Sequence, residues 1–399
     1  MRVLHVYRTY FPETHGGLEE TIRQICLNTA AHGVESRVFC PSRNVQPRVV
    51  RRDEAAVHRC RRTGEIASCT LSVEAFPMFK RLLRWADVVH YHFPWPLADV
   101  LHFASRVRVP TVTTYHSDIA RQRVLGWVYT PLMMRFLGSV DRIVCTSPNY
   151  LATSKVLRRF EGDVDVVPIG LDEDAYPKVT ESLLARTEAR YGTGFFLFIG
   201  VLRYYKCLHI LLEAMQGAPY RALIVGAGGL ERQLKRQCRR LGLNNVTFTG
   251  YVPEPTKIAL LAHCRAVVSP SYLRAEAFGV ALLEGAMAGK PLISTEVGSG
   301  TSHVNVNGET GLVVEPASPP ALRAAMDTLH HATELAHTLG AGSRRRFERL
   351  FDGGLMGERY AGIYHSLTTG ASDGARLPDR PARDPRSATG PQAPRSASS

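Results

Sequence analysis

Short apolar runs alternate with longer amphipathic stretches along almost the whole chain. Strand-length runs fall at 2–7, 36–40, 87–92, 110–116, 142–146 and 163–167, then at 195–200, 222–226, 246–249, 266–269, 291–295 and 311–314. Several are continuous rather than alternating, such as Leu223-Ile-Val225 and Ile143-Val144. That pattern belongs to parallel strands covered on both faces. Between them lie segments of helical length and period: 18–32, 148–160, 208–216, 230–241 and 280–288. Strands that alternate with helices predict an α/β class of doubly wound sheets.

Twelve such runs are too many for one comfortable sheet. The stretch 172–194 is polar, holds Pro177 and lacks strand character, so it is read as a break. The expected organisation is two facing, doubly wound Rossmann-like domains, at 1–175 and 176–350, with a cleft between them. A last helix over 351–369 is expected to pack back on the first domain. From 370 to 399 the chain is rich in Pro, Arg, Ser and Ala and should be disordered, because it has too little apolar surface to offset its ordering entropy. Open parallel sheets bind ligands at the carboxyl ends of their strands. Informative motifs should therefore fall just after strands.

Composition narrows the class. Of 399 residues, 45% are hydrophobic, enough to bury a large core, and no run approaches the ~18 apolar residues of a membrane span. The N-terminus enters a strand pattern directly, without a secretory h-region, so a cytoplasmic protein is expected. Eight cysteines show no Cys-x-x-Cys spacing and read as reduced structural thiols. The net charge of +13 favours phosphate-bearing partners of some kind. A nucleic-acid reading would rest on Arg48, Arg51, Arg52, Arg59, Arg61 and Arg62. Acids interrupt that cluster and no nucleic-acid motif accompanies it, so no nucleic-acid partner is expected. Two basic amphipathic segments, 80–85 and 121–127, could lie on an anionic membrane surface or be ordinary helices with a core side.

Six motifs follow strands. Phe11-Pro-Glu-Thr-His-Gly16-Gly17-Leu opens a helix, where adjacent glycines let backbone N–H groups approach an anion. Gly226-Ala-Gly228-Gly229 resembles the start of a dinucleotide fingerprint, but Glu231 stands where a small residue belongs and no ribose-binding acid follows at the right distance, so an NAD role is rejected. Gly200-Val-Leu-Arg203-Tyr-Tyr-Lys206 places two cations where a diphosphate could be stabilised. Glu276-Ala-Phe278-Gly279-Val-Ala-Leu-Leu-Glu284 puts one carboxylate at the cleft and a second within an apolar, buried helix. A buried carboxylate needs partners, and a ribose diol would supply two donors. Tyr115-His116-Ser-Asp118 ends a strand with a histidine able to orient a sugar hydroxyl. His90-Tyr-His92-Phe-Pro-Trp-Pro96 places two histidines on one face of a strand, but with no nearby Cys or carboxylate it does not read as a metal site. The reading finds no Asp-x-Asp metal motif either, so no metal is expected to take part.

Taken together, the third and fourth motifs resemble retaining GT-B glycosyltransferases of family 4, over roughly residues 1–365. The Glu-x7-Glu spacing followed by Ala-Met-Ala-Gly-Lys-Pro291 carries the resemblance. The segments 90–96, 200–206 and 298–305 are more narrowly similar to bacterial mannosyl- and D-rhamnosyltransferases of O-antigen synthesis. That resemblance implies a hexose donor such as GDP-mannose or GDP-D-rhamnose, used as substrate with no further cofactor. It also implies a lipid-linked saccharide acceptor at the inner face of the cytoplasmic membrane. By position, Gly16 and Gly17 would approach the donor phosphates, and Arg203 and Lys206 would neutralise the leaving diphosphate. Glu276, with the backbone at Phe278 and Gly279, would hold the donor sugar. Glu284 would clasp the ribose, Val252 would touch the base, and His116 would face donor sugar and acceptor. Cys207 departs from the family's usual Gly and is expected to tighten the turn after Lys206. Gly285 departs from the usual Ala and is expected to add flexibility beside Glu284. A nucleotide-sugar epimerase on the same architecture is the second enzyme reading, and it would need no acceptor.

Overall fold

The computed structural model describes residues 1–66, 69–119 and 123–369. The expected tail at 370–399 lies outside the described residues. Two sheets organise the chain. The first is built from β1 (Arg2–Val6), β2 (Glu35–Ser42), β3 (Val49–Arg51), β4 (Ala56–Arg61), β7 (Val88–Phe93), β8 (Thr111–Tyr115), β9 (Arg142–Cys145) and β10 (Val164–Val166), with a separate antiparallel hairpin of β5 (Gly64–Ile66) and β6 (Cys69–Leu71). Its strand order is β10-β9-β8-β7-β1-β2-β4-β3, parallel throughout except where β3 pairs antiparallel with β4. The second contains β11 (Phe196–Ile199), β12 (Ala222–Val225), β13 (Val246–Gly250), β14 (Ala266–Ser269), β15 (Leu292–Thr295) and β16 (Gly311–Val314). It is wholly parallel, in the order β13-β12-β11-β14-β15-β16.

Both orders reverse direction beside the first strand of the sheet: between β1 and β7, and between β11 and β14. These are the switch points where open sheets leave a crevice beyond their strand ends. The loops after β1, β8, β11 and β14 carry the Gly16-Gly17, His116, Arg203–Lys206 and Glu276 motifs, and His92 stands near the end of β7.

Local sequence explains the elements that frame this crevice. Helix Gly17–Ala30 starts after an extended Gly16, carries Glu19 and Glu20 in its first turn, where the helix dipole favours acids, and buries Thr21, Ile22, Ile25, Cys26 and Thr29. Helix Val280–Met287 is apolar almost all round and is buried from Leu282 to Met287, Glu284 included. Helix Gly353–Thr369 leaves the second half of the chain and lies against Gly17–Ala30, with Gly357 so close to Asn28 that a Cβ there would stand 2.6 Å from it.

The arginine-bearing stretch 48–62, read from its charge as a solvated loop and strand, holds two strands, β3 and β4, and β4 extends the first sheet in register with β2. Arginines that flank these strands are tied down locally: Arg48 to Glu74, Arg52 to Glu54 at 2.5 Å, and Arg62 to Glu65. The break region also holds a helix, Glu181–Tyr191, capped by Thr180. All eight cysteines are free thiols, seven of them buried. No helix among the described residues is long and apolar enough to cross a membrane.

Candidate active site between the two sheets

Residues from both halves of the chain meet at the strand ends. Gly17 approaches Val280 so closely that a Cβ on Gly17 would lie 3.2 Å from its Cγ2. Tyr176 donates to Glu284 Oε1 at 3.3 Å, and His15 packs against the exposed Tyr251 with ring centroids 5.7 Å apart. Arg274 reaches across to Asp118 (3.2 Å) and Thr153 Oγ1 (2.7 Å), also binds the Gly298 carbonyl, and lies over the Tyr150 ring.

Two buried ion pairs occupy the second-sheet side. Lys206 and Glu276 pair at 2.5 Å, with Ser271 Oγ a further 3.4 Å donor to the same carboxylate. Burial opposes charge on Lys206, but the Glu276 carboxylate outweighs it and the ammonium's pKa is raised. Ser299 Oγ donates to the Glu276 carbonyl at 2.8 Å, fixing the loop that carries the side chain. Phe278 is buried, and Gly279 caps the next helix at φ +88°, a conformation that favours glycine. Arg203 follows β11 and is exposed, with no side-chain hydrogen bond or ion pair among the described residues. The turn after Lys206 does run left-handed through Cys207, at φ +53°, which explains why glycine suits that position.

Glu284 differs from its expected environment. A ligand diol was expected to satisfy it, but Lys257 Nζ lies 2.6 Å from Oε1, and Tyr176 donates to the same oxygen. Lys257 also pairs with Glu254 at 2.6 Å. Burial raises the Glu284 pKa, with Lys257 opposing. No hydrogen bond among the described residues falls on Oε2, so one acceptor oxygen remains for a ligand hydroxyl. The sequence reading missed this pair. Its signal was a lysine just before the apolar run Ile258–Ala262 of helix Glu254–His263, five residues after the half-buried Val252. Arg274, two residues before Glu276, was missed too.

Gly285 corrects another expectation. It does not loosen the helix, because a Cβ there would stand 2.7 Å from Val267 Cγ2 and 2.9 Å from Leu292 Cδ2. Glycine lets the Glu284 helix sit directly on β14 and β15. Gly226 and Gly228 likewise face the Gly200–Leu202 backbone, at 2.0 and 2.6 Å from a built Cβ, which gives those glycines a packing role.

On the first-sheet side, His116 is buried and its Nε2 lies 3.0 Å from His92 Nδ1. Burial lowers its pKa to about 3, so the ring is neutral. Asp-x-Asp spacing does occur twice, at 163–165 and 172–174. Asp172 caps a turn by accepting from the Asp174 N–H at 3.0 Å, and Asp165 lies within β10 in register with Val144. Among the described residues one group of three could hold a metal ion: His5, His90 and His92. Surface hollows of about 290 and 380 Å³ lie elsewhere and contain none of the candidate residues.

Two crossed-over parallel sheets, a glycine loop against one helix start and paired lysines and glutamates at the strand ends define a nucleotide-sugar-transferase architecture. The chain belongs to the GT-B glycosyltransferases: residues 15–175 match the model "Glycosyltransferase Family 4" and residues 181–346 match "Glycosyl transferases group 1". It is 50% identical to D-rhamnosyltransferase WbpZ of Pseudomonas aeruginosa, over 88% of this chain and 92% of that one. It is 42% identical to O-antigen chain mannosyltransferase C of Escherichia coli, over 92% of this chain and 99% of that one. A sucrose-phosphate synthase of Thermosynechococcus elongatus shares the fold at a TM-score of 0.77 and 21% identity, over 92% of this chain and 99% of that one.

Proposed function

We propose that this protein is a hexosyltransferase of O-antigen synthesis. It moves mannose or D-rhamnose from a GDP-linked donor to a lipid-linked saccharide, with retention of anomeric configuration and without a metal. The observation that carries the reading is the pairing of cations with carboxylates at the ends of β11 and β14, beside the glycine loop of the opposite sheet. The choice of these two hexoses is supported by two relatives, 50% and 42% identical, that are named a D-rhamnosyltransferase and a mannosyltransferase.

In this mechanism the chain supplies little covalent chemistry. Glu276 and the backbone at Phe278 and Gly279 hold the hexose. Arg203 and Lys206 face the diphosphate as the anomeric C–O bond breaks and negative charge gathers on the leaving oxygen. Fixed cations placed before that charge develops lower the barrier without reorganising at the moment of reaction. Gly16 and Gly17 bring backbone N–H groups to the phosphates, Glu284 Oε2 takes a ribose hydroxyl, and Val252 abuts the base. Helix Ala75–Leu83, with Lys80, Arg81 and Arg84 exposed beyond a buried Met78, Phe79 and Leu82, is the face offered to an anionic membrane. The side chains of the second basic segment, 121–127, lie outside the described residues.

Calorimetric titration with GDP and UDP, followed by turnover of the sugars of the tighter nucleotide, tests the donor. The expected result is tighter GDP binding and transfer from GDP-mannose or GDP-D-rhamnose. Preference for UDP overturns the donor assignment. Conversion of the donor sugar with no acceptor present would instead establish the epimerase reading.

A further inference from the structure

Four histidines are packed inside the first sheet, and the family resemblance gives a role to one of them: we propose that His116 faces the donor sugar and the acceptor. His5 stands on β1, His90 and His92 on β7, and His116 just past β8. Alternation along β7 turns His90 and His92 to one face, and the β1–β7 register sets His5 opposite His90. The rings are between 0 and 5% exposed.

Three of them form a single file. His116 Nε2 lies 3.0 Å from His92 Nδ1, His92 Nε2 lies 3.1 Å from His5 Nδ1, and His5 Nε2 ends 3.5 Å from Ser36 Oγ. His90 stacks beside His92 at a centroid distance of 4.3 Å but is bonded elsewhere: Nδ1 to Tyr364 Oη and Nε2 to Thr114 Oγ1, both at 2.7 Å. A metal held by one nitrogen each of His5, His90 and His92 would displace one of those two bonds and also break the file, so the arrangement is read as a hydrogen-bonded array.

Burial keeps the array neutral, with His5 and His116 both lowered to about 3 and His90 and His92 well below the usual range. A neutral imidazole has one donor and one acceptor nitrogen. The file therefore has two consistent proton patterns, and any mixture sets two N–H groups or two lone pairs face to face in a buried place. In one pattern all three rings carry the proton on Nε2, the tautomer neutral histidine favours by itself, and each donates inward toward Ser36. His116 Nδ1 then keeps its lone pair and can accept a hydroxyl proton.

We infer that His92, held in turn by His5, is a positioning residue that locks His116 as the Nε2–H tautomer and presents Nδ1 to the sugar as an acceptor. The functional half of this inference rests on the proposed role of His116. The tautomer half stands on the geometry of the file together with the intrinsic preference of neutral histidine for Nε2–H.

Histidine-selective ¹⁵N labelling of the full chain, with long-range ¹H–¹⁵N spectra, tests it. Wild type should show His116 as a single Nε2–H tautomer from pH 6 to 8. His92→Leu should leave His116 a mixture of tautomers and lower kcat about 30-fold, with the donor KM within about twofold. His92→Asn, whose Oδ1 can accept in place of Nδ1, should restore one tautomer and most of kcat. Should His92→Leu fail to fold, the wild-type spectrum and the Asn variant still decide. A wild-type His116 that is Nδ1–H or mixed, or a tautomer unchanged in a folded His92→Leu protein, overturns the inference. So does one tightly bound metal ion per chain that is lost with His5→Asn. If His116→Ala keeps full turnover while the spectra come out as expected, the assignment of His116 to the reaction fails and the tautomer lock does not.

Discussion

The two sheets share a strand logic but hold polar groups in their interiors by opposite means. The first sheet buries neutral rings: His5, His90, His92 and His116, with Thr114, Tyr360 and Tyr364 closing the network. The second buries full charges, Lys206 with Glu276 and Lys257 with Glu284. Charge belongs where a diphosphate departs, because a fixed cation is worth most in a place shielded from water. Neutral donors and acceptors belong where hydroxyls must be told apart, because an imidazole offers one of each and its tautomer can be set. The difference also gives the halves different weaknesses, and each can be attacked separately.

Acid should break the comparison most strongly. The unfolded pKa of histidine is about 6.5, and in the fold His5 and His116 fall to about 3. A depressed histidine contributes stability above pH 6.5 and loses it as pH falls toward 3, because the unfolded chain takes up protons that the fold refuses. Each of these two rings costs about 1.4 kcal/mol for one pH unit below 6.5, so together they cost about 3 kcal/mol at pH 5.5, and His90 and His92, lowered as well, act in the same direction, against a total stability of about 5–15 kcal/mol. No histidine takes part in the second sheet's two ion pairs. Hydrogen exchange at pH 7 and pH 5.5 should show peptides of β1, β7 and β8 losing protection before those of β11, β14 and β15. Equal loss in both would show that the buried histidines do not control acid stability.

The next largest effect concerns the charged half. Arg203→Ala should lower kcat by about 10²–10³, roughly 3–4 kcal/mol of lost electrostatic stabilisation, with the melting temperature unchanged because the side chain is exposed and makes no bond within the fold. Lys206→Met should cost as much activity and also destabilise the protein, since it strands Glu276 inside without its cation. Unimpaired turnover by a folded Arg203→Ala protein removes the electrostatic account of leaving-group departure.

These positions also mark how far the chain could be read without its structure. Strand ends and the residues after them were legible because apolar runs of four to six residues reveal parallel strands. In such sheets function gathers at their carboxyl ends. That placed Gly16, Gly17, Arg203, Lys206, Glu276 and His116 on loops that do meet at the crevice. Partners were not legible. Nothing in spacing ties Lys257 to Glu284, Arg274 to Asp118 across 156 positions, or His5 to His92, because those pairs exist only once the strands have chosen neighbours. The arginine-rich stretch that holds β3 and β4 read only as a solvated loop and strand, because the partners Glu54, Glu65 and Glu74 that neutralise its flanking arginines, and the place of β4 between β2 and the edge strand β3, come with the fold.

The Glu284 pair is where that gap sharpens the site. With Lys257 and Tyr176 on Oε1, the carboxylate is already satisfied on one side, so a ribose can engage only the other oxygen. Glu284→Gln should weaken GDP binding about 10–100-fold, the 1.5–3 kcal/mol of a hydrogen bond to a charged acceptor. Lys257 keeps Glu254 as a counter-ion, so the fold should survive. Lys257→Met should weaken GDP less than Glu284→Gln does, because it removes a support and leaves the acceptor. Calorimetry with GDP reads both, and unchanged affinity in Glu284→Gln would remove the ribose clasp.

The smallest effect isolates packing from chemistry. Gly285→Ala adds one methyl group to the helix that carries Glu284. In an open helix the change would gain about 1 kcal/mol of helix propensity. Here the new Cβ meets Val267 and Leu292, which are fully buried on β14 and β15, at 2.7 and 2.9 Å. Neither can swing away, and overpacking of this kind costs about 1–3 kcal/mol. Collision should outweigh propensity, so the melting temperature should fall by a few degrees, and GDP affinity should drop severalfold as the helix lifts Glu284 from its place. A raised melting temperature would mean that the helix can yield, and that glycine at 285 serves flexibility after all. A lowered melting temperature with intact GDP affinity would mean that the helix moves without carrying the ribose ligand, and would separate the fold's need for this glycine from the site's.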